Sequence, residues 1–61
     1  MKTKLEETII NKINSFLTAE KANEKANEIE AIAACWKVQI EFKLMTKNEI
    51  NQKAAEFAMS I

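Results

Sequence analysis

Glycine and proline are both absent from this 61-residue sequence. Tight hairpin turns, phosphate-cradling loops and left-handed helix caps draw on those two residues, so their absence points to long regular segments joined by minimal loops. Histidine is missing as well, and the one cysteine, Cys35, has no second thiol in the chain to pair with. That excludes an internal disulfide framework and leaves no Cys/His set for a structural zinc. Without a histidine to activate it, Cys35 reads as a buried, inert and reduced thiol, not a nucleophile. Arginine is absent too: all nine cations are lysines, matched by nine acidic residues for a formal net charge of zero. Phosphate affinity needs a basic surplus and base reading leans on the arginine fork, so no nucleic-acid partner is expected.

Long apolar runs are lacking. The stretch from Ala31 to Trp36 falls far short of the roughly 20 residues that span a bilayer, and Met1 to Thr8, MKTKLEET, lacks the apolar core of a secretion signal. A cytoplasmic protein without membrane contact is the expectation. A single domain of this length buries only about 60% of its unfolded surface and is marginal unless something staples it. With disulfide and metal removed, the remaining staple is a partner chain.

The periodic signals are helical. Thr3, Lys4, Leu5 and Glu6 have the form of a capping box, and Leu5, Ile9, Ile10, Ile13, Phe16 and Leu17 then recur at steps of three and four. Thr18 can cap a second helix. Lys21-Ala22-Asn23-Glu24 is repeated residue for residue as Lys25-Ala26-Asn27-Glu28, a pattern suited to a solvated helix face with a small-residue seam. Ala22, Ala26, Ile29, Ala33, Trp36, Ile40 and Leu44 continue it as one stripe. Thr46 to Glu49 is a second capping box, followed by Ile50, Ala54, Phe57, Ala58 and Ile61 on one face. The fold class expected is therefore all-α, with three helices over about residues 4–17, 19–45 and 47–60, the long central one flanked by two shorter antiparallel neighbours.

One stretch is ambiguous. Trp36, Val38, Ile40, Phe42 and Leu44 alternate with Lys37, Gln39, Glu41 and Lys43, as in a half-buried strand. The alternative is thus an α+β chain whose strand at 36–44 pairs with that of a second copy. Against it, no Gly, Asn, Pro or Asp lies within Ala33 to Cys35 to turn a helix into a strand.

If the helix is continuous, Ala31, Cys35, Val38, Phe42 and Met45 form a second apolar strip away from the core stripe. Either the last helix wraps round to cover it or it is an interface, for which a homodimer is the leading occupant and a different protein the next. No reactive constellation competes with that reading. Glu24, Glu28 and Glu30 belong to a solvated face with Asn and Lys neighbours, and Trp36 sits mid-stripe as a core anchor, so no catalytic residue, cofactor or metal is expected. The sequence predicts a small non-enzymatic interaction module of the inhibitor, adaptor or antitoxin-like kind. Its Lys-only, Asn- and Ile-rich composition suits an AT-rich bacterial, phage or plasmid gene. The alternative is a dimeric DNA-binding regulator of ribbon-helix type, which the strand would permit and which Glu41 on the strand's polar side opposes.

Overall fold

The opening capping box forms as its residue types require. In the computed structural model, which describes residues 3–61, the Glu6 amide donates to Thr3 Oγ1 at 3.2 Å and the Thr3 amide donates back to Glu6 Oε1 at 3.4 Å. Two of the amides at the helix start are thereby satisfied, and α1 runs Lys4–Asn14. It stops three residues before the apolar stripe does. Phe16 and Leu17 continue as tight turns, their amides donating to the carbonyls of Ile13 and Asn14 at 3.1 Å. Asn14 Oδ1 is buried there without a hydrogen-bond partner. An acceptor in that state costs about 1–3 kcal/mol.

Thr18 caps the next segment, accepting from the Lys21 amide at 3.2 Å. The long helix expected over about 19–45 is shorter and broken: α2 spans Ala19–Glu24 and α3 spans Ala26–Glu41. The bend sits at Lys25, with φ −105° and ψ 13°, inside the tandem repeat. Asn23 and Asn27 are weak helix formers, and α2 has no buried side chain to hold a straight rod against a neighbour. The strand alternative is corrected as well. Residues 36–41 are helical, and there is no strand among the described residues.

The end of α3 explains why it cannot reach Met45. Lys43 is left-handed, at φ 61°. The Leu44 amide donates to the Gln39 carbonyl at 2.8 Å and the Lys43 amide to that of Ile40 at 3.0 Å. Those two bonds, with the left-handed residue between them, make a Schellman cap, a motif that ordinarily uses glycine. With no glycine in the chain, a lysine bears the steric cost of about 1 kcal/mol. Lys43→Gly should therefore raise stability by about 0.5–1 kcal/mol, read as a higher urea midpoint at unchanged m-value. A lower midpoint would show that the cap is not formed in solution.

The second capping box forms in part. Glu49 Oε1 accepts from the Thr46 amide at 3.1 Å and from the Thr46 hydroxyl at 3.2 Å, but the reciprocal bond from the Glu49 amide to that hydroxyl is not made. The Glu49 amide donates instead to the Thr46 carbonyl at 3.1 Å, and α4 begins two residues later than expected, at Glu49–Ser60.

The core joins Ile9 and Ile13 of α1, Ile29 and Ala33 of α3, and Ile50 and Ala54 of α4. Around it pack Leu5, Ile10, Leu17, Ile32, Trp36, Ile40 and Phe57. The centre of packing is α1, which lies against both α3 and α4. This differs from the arrangement expected, in which the long helix was central. Once the chain bends at Lys25 and reverses at Lys43, the short first helix is the one with apolar neighbours on both sides. The result is flat, 32 × 26 × 14 Å. A thin body has little interior, and that leaves apolar residues at the surface.

Candidate interaction surface

The two sides of α3 are both apolar. At 100° per residue, Ile29, Ala33, Trp36 and Ile40 fall together on the side that meets α1, while Ala31, Cys35, Val38 and Phe42 fall within about 60° of one another on the opposite side. All four of the latter are exposed, Val38 at 45% and Phe42 at 72%, and the Cys35 thiol, expected to be buried, is corrected to an exposed one because it stands on the side of α3 away from α1. No charged residue projects from that sector. Glu28, Glu30, Lys37 and Glu41 lie along its flanks, where Lys37 Nζ and Glu41 Oε2 form an ion pair at 3.5 Å. Gln39, on one flank, donates its side-chain amide to Cys35 Sγ at 3.5 Å, which ties the thiol to its own helix.

Four of the five residues expected to form the strip are thus brought together, and one is not. Met45 is 4% exposed, whereas Leu44, expected in the core stripe, is 77% exposed. The left-handed turn at Lys43 is the cause. It ends the helical phase one residue before Leu44, so the two side chains exchange roles. The alternative in which the last helix wraps round to cover the strip is also corrected: α4 packs on α1 and leaves the outer side of α3 open.

A concavity lies between α1 and α4, a groove of about 640 Å³. Lys4, Lys12 and Lys47 line it over a floor of Leu5 and Ile50, and Thr8 between the first two commits its hydroxyl to the Lys4 carbonyl at 3.0 Å. Among the described residues no carboxylate, thiol or imidazole lines it. This groove is not among the sites expected from the sequence, although Lys4, Thr8 and Lys12 at steps of four carried a signal for it. The third lysine arrives from a distant segment through the packing of α4 on α1. Among the described residues no three His, Cys, Asp or Glu side chains group as a metal site, and no helix is long and apolar enough to cross a membrane.

No protein-family model matches the chain, and no curated protein or solved structure matches it either.

Proposed function

We propose that this protein is a small protein–protein interaction module, an inhibitor, adaptor or antitoxin-like accessory, that acts by occupying a partner's surface and performs no chemistry of its own. Its contact surface is the outer side of α3, and its first partner is a second copy of itself. The observation that carries the reading is the uncharged strip Ala31, Cys35, Val38 and Phe42, left in water on a helix whose opposite side packs into the core. A contiguous apolar face on so small a chain marks an interaction site. The DNA-binding alternative needed a strand at 36–44, and that stretch is helical as far as Glu41.

Sedimentation across micromolar to millimolar concentrations tests the proposal. A mass near twice 7.0 kDa at the upper end is expected. A chain that stays monomeric at millimolar concentration would exclude the self-association.

A further inference from the structure

The exposed strip of α3 grades from small side chains at its start, Ala31 and Cys35, to large ones at its end, Val38 and Phe42, and that gradient favours one occupant. Ala31 and Phe42 lie equally far from the midpoint between residues 36 and 37, and so do Cys35 and Val38. On each side of that midpoint one half carries the small side chains and the other the large ones. We infer that α3 pairs with α3 of a second copy in antiparallel orientation, about a two-fold axis at that midpoint, with Ala31 facing the other copy's Phe42 and Cys35 facing its Val38. This rests on the reading of the outer side of α3 as an interaction surface.

Two arguments favour antiparallel over parallel pairing. The first is volume. Small against large at every level keeps two helices at one separation, whereas parallel pairing in register would set Phe42 on Phe42 and Ala31 on Ala31, splayed at one end and gapped at the other. The second is charge. Over α3 and its two ends, Glu28 and Glu30 against Lys25 give −1 before the midpoint, and Lys37 and Lys43 against Glu41 give +1 after it. Antiparallel pairing sets the negative half of each copy beside the positive half of the other, and the helix dipoles oppose favourably as well. Eleven residue steps at 1.5 Å make a seam of about 16 Å, which is short for a stable interface. Association that is weak and concentration-dependent is expected.

Complementation tests the pairing. Ala31→Glu places a carboxylate against Phe42 twice in a homodimer, and Phe42→Lys removes the large side chain twice. Each variant alone should self-associate at least 30-fold more weakly than the parent. Their equimolar mixture should recover a two-chain species to within about tenfold of the parent. The mixed dimer holds one ion pair, between the carboxylate introduced at position 31 and the ammonium introduced at position 42, and one native contact between Phe42 and Ala31, so recovery is specific to this register. Circular dichroism checks that each variant is helical. A second measurement is independent of both substitutions: in Val38→Cys, air oxidation should give a covalent dimer whose peptide map contains the link between residue 35 of one copy and residue 38 of the other. A dimeric parent whose mixture stays monomeric, or whose map holds only 35-to-35 and 38-to-38 links, would overturn the antiparallel pairing yet leave the outer side of α3 as the contact surface. A parent dimer indifferent to both charged substitutions would instead remove that surface, and a monomeric parent would remove the homodimer.

Discussion

Ile13→Ala is expected to cost about 3 kcal/mol of folding free energy. Ile13 is 0% exposed and stands on α1, the helix against which both α3 and α4 pack. Truncation therefore opens a cavity that no single neighbour can close. Isoleucine-to-alanine changes in cores span about 2–5 kcal/mol, and the better helix propensity of alanine returns only a few tenths. A chain of this length has a total of about 3–9 kcal/mol to lose, so the variant should be largely unfolded at 37 °C or close to it. Urea unfolding followed by circular dichroism and by the emission of Trp36, the only tryptophan, reads the change. Both chains should be compared at one concentration, or in a Phe42→Lys background, because self-association raises apparent stability by mass action. A loss below about 1 kcal/mol would show that α1 is not the centre of packing.

That Ile13 and not Trp36 carries this effect separates what the residues disclose from what they do not. Trp36 stands out in the sequence, and a lone tryptophan in an apolar stripe invites the role of anchor. In the structure it packs against the edge of a core whose most completely buried large side chains are Ile9, Ile13 and Ile29. Periodicity reports which side of a helix is apolar, but not which helix lies in the middle. That depends on the bends at Lys25 and Lys43, and neither carries a punctuating Gly or Pro. The left-handed lysine is the clearest case. The absence of glycine argued for uninterrupted helices, yet the reversal was needed to bring α4 back onto α1, and packing overrode local preference. At Thr3 and Thr18, where the cap hydrogen bond forms, the helix starts were legible to the residue, whereas at Thr46, where the box forms only in part, the start lies two residues later than expected. The alternation across 36–44 misled for the opposite reason. It arises because α3 is apolar on both sides, and that is the feature that makes its outer side available.

That availability gives Phe42→Lys an outcome that separates association from folding. Phe42 is 72% exposed and occupies the C-cap of α3 at φ −90° and ψ 8°, a conformation lysine adopts freely. A surface substitution of this kind changes folding free energy by no more than about 0.5 kcal/mol. Association is another matter. Full burial of a phenylalanine side chain is worth about 1.5–3 kcal/mol, and a two-fold dimer buries the residue twice, so the loss on association should reach about 2–4 kcal/mol after allowing for the fraction already covered. That converts to a dissociation constant roughly 30- to 1,000-fold weaker. The variant should sediment as a 7.0 kDa monomer with an undiminished helical spectrum at concentrations where the parent is dimeric. A concurrent loss of helix would place Phe42 in the folding core of the monomer, contrary to its exposure. An unchanged dimer would mean that the copies meet through a different face, and the lysine-lined groove between α1 and α4 would then be the next surface to alter.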